Sequence, residues 1–322
     1  MKPKRFDDFY GMDSLINRLS VGVAGDNTAH AYLFCGPAGT GKRSLSAICA
    51  RAVHCTGEKK PCDVCDSCQR FLNGSHPDHI VLSSEKALGV SDVRALIERV
   101  AIKPYEGGMY TVVIEDCDDM TIQAQNALLK TLEEPPDYLT FFLLAKSQAP
   151  LLSTVLSRVR LVRLPALGLD NQTYALEKLG FDPKRAALLA NLTQGSVGQA
   201  LLLDGDESFW ALRERVLQAL SLLKTPGEVS KAFSLIKDDR AQLSQIFMIL
   251  EQTGCAMQRA QALGIAPDPA LVPKGIDLSG SALIQLCLRA KRMIKSNVSF
   301  QSVMELLMFD LINGAILEES KV

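Results

Sequence analysis

The sequence predicts an α/β fold with a mostly parallel sheet, followed by a region that is entirely helical. Three observations carry this. An apolar run, Ala31-Tyr32-Leu33-Phe34-Cys35, enters a glycine-rich loop that opens an amphipathic helix. Short β-branched or aromatic runs then alternate with helical periodicity up to residue 165. After Pro165 the strand signal disappears.

At 322 residues the chain is long enough for two or three domains. Hydrophobic content of 47% and charged content of 22% are those of an ordinary globular protein. A net charge of −1 rules out bulk electrostatic adhesion to nucleic acid or membrane, leaving only a local basic face. No apolar run approaches the roughly 18 residues of a membrane-spanning helix. The basic N-terminus has no apolar stretch behind it, and nine cysteines without an export signal argue against a disulfide framework. A cytoplasmic protein is expected.

In chain order, residues 6–25 read as a lead-in and a first helix, with Leu15, Ile16, Leu19 and Val23 at helical spacing. His30, just ahead of the first strand, reads as a packed histidine rather than a catalytic one. The helix after the glycine loop runs to about His54. Residues 78–82 suggest a strand, and Ser91 is placed to cap a helix over 92–100. Gly107-Gly108 turns the chain into a buried strand over 110–114. A helix over 123–134 is stopped by Pro135-Pro136, and strands follow at 139–145 and 161–164. Short helices occupy 170–203 with a turn at Gly195-Ser196. From Ser208 the pattern is helical, punctuated by Pro226, Gly254, Pro267, Pro269, Pro273 and Gly280, with leucine-rich faces over 276–295 and 300–317.

The loop Gly36-Pro37-Ala38-Gly39-Thr40-Gly41-Lys42-Arg43-Ser44 has the G-x-x-x-x-G-K spacing of a phosphate-binding loop, in the strand–loop–helix context that gives the pattern meaning. Glycines let backbone N–H groups wrap an anion, and Lys42 adds a point charge. The next position should supply a hydroxyl for Mg²⁺. Arg43 stands there, and a guanidinium cannot ligate a cation. Ser44 lies about 100° further round the helix, a poor substitute. Glu115 and Asp116, at the carboxyl end of a parallel strand, occupy the place where Mg²⁺ and an attacking water are handled in nucleotide hydrolysis. The frame is that of an ATPase with part of its machinery lost, so ATP and Mg²⁺ binding is left open.

The second signal is C-x₆-C-x₂-C-x₂-C at Cys55, Cys62, Cys65 and Cys68. Four thiolates suit a closed tetrahedral zinc site, whose metal would supply the folding energy of a small polar insert over 55–75. Free thiols, or a redox C-x-x-C pair, are the other readings. His54, His76 and His79 could substitute for one thiolate, but Cys55 is the better fourth ligand.

Taken together, His30-Ala31-Tyr32-Leu33-Phe34, the cysteine insert and the run from Gln125 to Pro136, QNALLKTLEEPP, resemble bacterial clamp-loader AAA+ subunits, the last run being the most specific. Leu156-Ser157-Arg158 matches that family's Ser-Arg motif, residues 195–200 its lid helix, and 297–308 the end of its collar. The resemblance implies an AAA+ P-loop domain over 1–165, a helical lid over 166–205 and an all-α collar over 206–322 that joins subunits. It implies a degenerate nucleotide site of Gly36, Gly39, Thr40, Gly41, Lys42, Arg43, Ser44, Glu115 and Asp116, and a role in trans for Arg158 as an arginine finger. Lys146 stands where a polar sensor residue is expected and Gly198 where a sensor arginine is expected. These departures favour a non-motor subunit over an active ATPase motor. The partners implied are the gamma/tau and delta subunits of a loader, a sliding clamp, and primed DNA through the assembled complex. A zinc-dependent DNA-binding module is a rival reading that neither the charge nor the composition favours.

Overall fold

The computed structural model describes residues 3–25, 28–83, 87–106, 108–273 and 279–313. The chain divides into two compact units, residues 1–181 with 194–199, and residues 182–193 with 200–322.

In the first unit the elements run α1 (Asp13–Ala24), β1 (Ala31–Cys35), α2 (Lys42–His54), α3 (Asp66–Leu72), β2 (His79–Leu82), α4 (Val90–Val100), β3 (Tyr110–Ile114), α5 (Ile122–Glu133), β4 (Leu139–Ala145), α6 (Ser153–Leu156), β5 (Arg160–Arg163) and α7 (Leu169–Lys178). The five strands form one parallel sheet in the order β2-β3-β4-β1-β5. Every residue of β1, β3 and β4 is buried, as expected where helices cover both faces of a parallel sheet.

Alternation sorts the strand residues between two cores. Leu33, Val112, Ile114, Phe141 and Leu143 pack with Val93, Leu96, Leu128 and Leu132 of α4 and α5. Tyr32, Phe34, Val113, Phe142 and Val162 pack on the other face with Ile16, Leu19, Leu45 and Ile48 of α1 and α2. The rings of Phe34 and Phe142 stack there at 5.9 Å.

The second unit is all helical: α8 (Pro183–Thr193), α9 (Val197–Asp204), α10 (Glu207–Leu222), α11 (Val229–Ser234), α12 (Leu243–Leu263), α13 (Gly280–Lys295) and α14 (Phe300–Asn313), the first turn of α9 belonging to the first unit. Its core gathers Phe209, Leu212, Ile246, Leu250, Leu283, Leu286, Val303 and Leu307.

Three expectations are corrected. Gly89, not Ser91, caps α4, because Asp92 reaches back to accept from the Gly89 N–H at 2.8 Å. The last strand begins one residue earlier, at Arg160. Gly254 does not interrupt a helix: it is buried inside α12, and a Cβ there would stand 2.9 Å from the Gly280 carbonyl oxygen. The two glycines let α12 and α13 cross backbone to backbone. Gly107 and the helical stretches expected at 276–278 and 314–317 lie outside the described residues. Among the described residues no helix is long and apolar enough to cross a membrane.

Candidate nucleotide site and metal centre

The glycine loop follows β1 at the carboxyl edge of the sheet, and α2 starts at Lys42 with Gly41 as its cap. Lys42 Nζ donates to the carbonyls of Gly36 at 2.6 Å and Pro37 at 2.7 Å, so the lysine is folded onto its own loop. Burial lowers its pKa, against the opposing pull of Asp118. Thr40 Oγ1 also turns inward, donating to Pro37 O at 2.9 Å.

Arg43 reaches across to β3, where its Nη2 donates to Glu115 Oε2 at 2.6 Å. The remaining acids are engaged as well. Lys146 Nζ lies 3.2 Å from Asp116 and 3.3 Å from Asp119, and these two carboxylates raise its pKa. Asp118 accepts the backbone N–H groups of Lys146 and Ser147 at 3.0 and 3.2 Å. Each of the four carboxylates that follow β3 therefore has an intramolecular partner.

Residues 194–199 lie on the loop. Ser196 Oγ donates to Ala38 O at 2.9 Å, and the Gly198 N–H donates to Gly39 O at 2.9 Å. Gly39 has φ +74°, and a Cβ on Gly198 would stand 2.8 Å from the Gly39 oxygen. Any side chain at 198 would displace the start of α9 from the loop.

The four cysteines come together. The Sγ atoms of Cys55, Cys62, Cys65 and Cys68 all lie within 4.8 Å of one another. Tetrahedral ligation at about 2.3 Å needs sulfurs about 3.8 Å apart, so a small closure completes the shell. Backbone N–H groups point at the sulfurs: Gly57 and Cys62 at Cys55, Cys65 at Cys62, and Cys68 at Cys65, over 3.3–3.5 Å. Burial works to raise the Cys65 thiol, yet hydrogen bonds from the Cys68 and Thr56 backbones bring it down to about 6. Burial pushes the Cys68 thiol up.

The neighbouring histidines are used elsewhere. His54 and His79 both meet Thr111 Oγ1, at 3.1 and 2.9 Å, and His76 Nε2 meets Ser67 Oγ at 3.1 Å. His54 packs its ring on His76 at 4.3 Å. The four-sulfur cluster is complete without them.

Two partners here were not legible beforehand. Asp63, between two of the cysteines at φ +63°, pairs with Arg5 at 2.7 Å and Arg51 at 3.1 Å, tying the N-terminal segment to the insert. Glu133, inside the motif run at the end of α5, holds Arg158 Nη2 at 2.7 Å. Nothing in their spacing announced either pair.

Arg158 lies just before β5, at the amino edge of the sheet, and Nη1 also donates to Thr154 O at 2.7 Å. His30 Nε2 contacts its carbonyl oxygen at 3.0 Å, which is the packed role expected of that histidine. The phosphate loop is at the opposite edge. A strand of five residues separates the two by roughly 15 Å, so Arg158 cannot serve its own loop. It lines an open cavity of about 580 Å³ with His30, Glu133, Ser157 and Arg160.

The family described as "DNA polymerase III, delta subunit" matches residues 11–168. Escherichia coli DNA polymerase III subunit delta' is 35% identical over 222 residues, 66% of this chain and 65% of that one. The Bacillus subtilis delta' subunit is 32% identical over 215 residues, 66% of this chain and 64% of that one. The chain belongs to the clamp-loader AAA+ family. The tau subunit of Escherichia coli is 30% identical over 297 residues, 88% of this chain. The clamp-loader family member described here spans less than half of that relative, 45% of its length. A solved Thermotoga maritima gamma subunit-related protein covers 93% of this chain and 98% of its own at 17% identity, with a TM-score of 0.48.

Proposed function

We propose that this chain is a non-motor, delta prime-type subunit of a bacterial DNA polymerase III clamp loader, helping to place a sliding clamp on primed DNA. The observation that carries the reading is the Arg43–Glu115 bond, which puts a guanidinium where a Mg²⁺-binding hydroxyl belongs and spends a strand-end carboxylate on it. Lys146 draws on Asp116 and Asp119, and Asp118 accepts through Oδ2 while its buried Oδ1 has no partner among the described residues. With Arg43 in the hydroxyl's place, we read this set as a poor fit for a Mg²⁺ ion. Gly36, Gly39, Thr40, Gly41, Lys42, Arg43, Ser44, Glu115 and Asp116 are then a degenerate nucleotide site. The three-part division at 165/166 and 205/206 into AAA+ domain, lid and collar belongs to the same reading, as does residence in the cytoplasm.

Its contribution to hydrolysis would be made in trans. Arg158 presents a planar guanidinium, suited to the charge of a transferring phosphoryl group, at the sheet edge away from its own loop. Glu133 holds it in the isolated chain and would release it to a neighbouring subunit's ATP. Cys55, Cys62, Cys65 and Cys68 would hold a structural Zn²⁺; four thiolates leave no water position, so the metal would supply folding energy alone. Gamma/tau and delta subunits are the proposed partners.

A second reading, an active gamma/tau-type motor, is favoured by one observation: the tau match extends over 88% of the chain. The isolated chain, assayed with ATP and Mg²⁺, separates the two. The non-motor reading expects negligible turnover, together with assembly into a clamp-loading complex when mixed with the other loader subunits. Robust hydrolysis abolished by Lys42→Ala would establish the motor.

A further inference from the structure

We propose that the cleft between α1 and edge strand β5 is an anion site that takes a phosphate group. The cleft has a volume of about 280 Å³, and its walls include Arg18, Arg160 and Arg163 over a floor of Leu15, Leu19 and Tyr32. No aspartate or glutamate among the described residues lines it. None of the loop residues 36–44 lines it either, so it is separate from the degenerate nucleotide site.

Its geometry comes from two elements. On α1, Leu15, Arg18, Leu19 and Gly22 fall on one face at helical spacing. On β5, Arg160 shares a face with Val162, which packs toward α1, whereas Arg163 alternates to the face of Leu161 and borders the cleft only at the end of the strand. An Nη of Arg160 lies 3.5 Å from where a Cβ on Gly22 would stand, so the missing side chain leaves room for the guanidinium over the helix.

Among the described residues the charges of this cleft have no carboxylate partner. Arg43 has Glu115, Arg158 has Glu133, and Arg5 and Arg51 share Asp63. Arg18, Arg160 and Arg163 pair with no carboxylate among the described residues; Arg18 Nε spends one donor on Ser14 O at 3.2 Å. The Tyr32 hydroxyl, which Arg160 approaches, already accepts from the Ala29 N–H at 3.1 Å and donates to Gly22 O at 3.4 Å. Two guanidinium forks, of Arg18 and Arg160, thus border one concavity that no carboxylate among the described residues enters, with Arg163 at its end.

The donor count selects the ligand. A carboxylate is satisfied by a single bidentate fork, whereas a tetrahedral phosphate offers three or more acceptor oxygens to forks from different directions. Such a group can come from a free phosphate compound or from the backbone of DNA.

The test uses the full chain with two probes, inorganic pyrophosphate and a short DNA duplex, followed by calorimetry and by backbone-amide NMR. Pyrophosphate is expected to shift the amides of Leu19, Gly22 and Val162. Arg160→Gln should weaken it about 10-fold, the loss of a charge-assisted contact, with Arg160→Lys retaining part of the affinity. Arg18→Gln combined with Arg160→Gln should remove binding; all three positions tolerate exchange because the arginines reach solvent. If the duplex shifts the same amides, and each arginine removed lowers the salt slope by about one, the phosphate is that of DNA. If pyrophosphate alone shifts them, it is that of a free compound. The site is overturned if neither probe moves these amides, if only amides of residues 36–44 move, or if the double variant binds as tightly as the parent.

Discussion

Arg43 shows how one residue reassigns a site. Its bond to Glu115 is half in solvent, since the arginine side chain is 71% exposed, yet the carboxylate it satisfies is only 10% exposed. Arg43→Thr restores a metal-binding hydroxyl but strands Glu115, and Lys146 still holds Asp116 and Asp119. The variant is expected to remain without ATPase activity and to lose about 1 kcal/mol of stability, a solvent-screened value, in denaturant titration. Recovery of turnover by this single change would contradict the account. His79 makes a second residue-scale case. Burial, then the charge of His76, lowers its pKa to about 4, below the unfolded value of about 6.5. Between those values the unfolded chain binds a proton that the folded chain refuses. The contribution is therefore complete above pH 6.5 and is lost as the pH falls toward 4. Melting temperature measured from pH 7.5 to 4.5 should fall less steeply for His79→Gln than for the parent; parallel curves would remove His79 as the cause.

At the scale of elements, the cysteine insert and the α12–α13 crossing are held by opposite means. The insert from Cys55 to α3 has few apolar residues inside it: Val64 is 80% exposed, and the buried groups are mainly sulfurs and Ser67. A metal there would replace a core. Chelation should accelerate proteolysis within 55–72 and lower the melting temperature, with the parallel sheet retained by circular dichroism. Unchanged cleavage after full metal removal would show that the insert folds by itself. The crossing of α12 and α13 depends instead on having no side chain at all. Gly254→Val would drive a branched side chain into the Gly280 carbonyl and Ile284, both 2.9 Å from the new Cβ. A loss of about 1–3 kcal/mol is expected in the urea midpoint, the usual range for overpacking. The helix pattern around Gly254 was readable as sequence. That the glycine joins helices rather than ending one was not, because a glycine has no side chain whose period could reveal its neighbour.

At the scale of the whole molecule the glycine loop stands at the carboxyl end of the sheet and Arg158 at the amino end. In a loader reconstituted from all its subunits, Arg158→Ala should leave assembly intact and lower DNA- and clamp-stimulated ATP hydrolysis several-fold. That is less than the 10³–10⁵ of a lone finger, because other subunit interfaces keep their own arginines. An unmodified rate would reduce Arg158 to the structural partner of Glu133. The sequence by itself determined the parallel α/β frame, the phosphate-loop spacing with its misplaced arginine, and the four cysteines, because period, glycine placement and ligand spacing are local properties. Contacts distant in sequence had no such signature. The pairing of Arg43 with Glu115, of Arg158 with Glu133 and of Gly198 with Gly39, and the arginine cleft beside β5, were decided by the strand order and helix packing, which bring together chain segments from 20 to 160 residues apart, roughly. A side chain's type states what it can bond to; only the tertiary fold supplies what it does bond to.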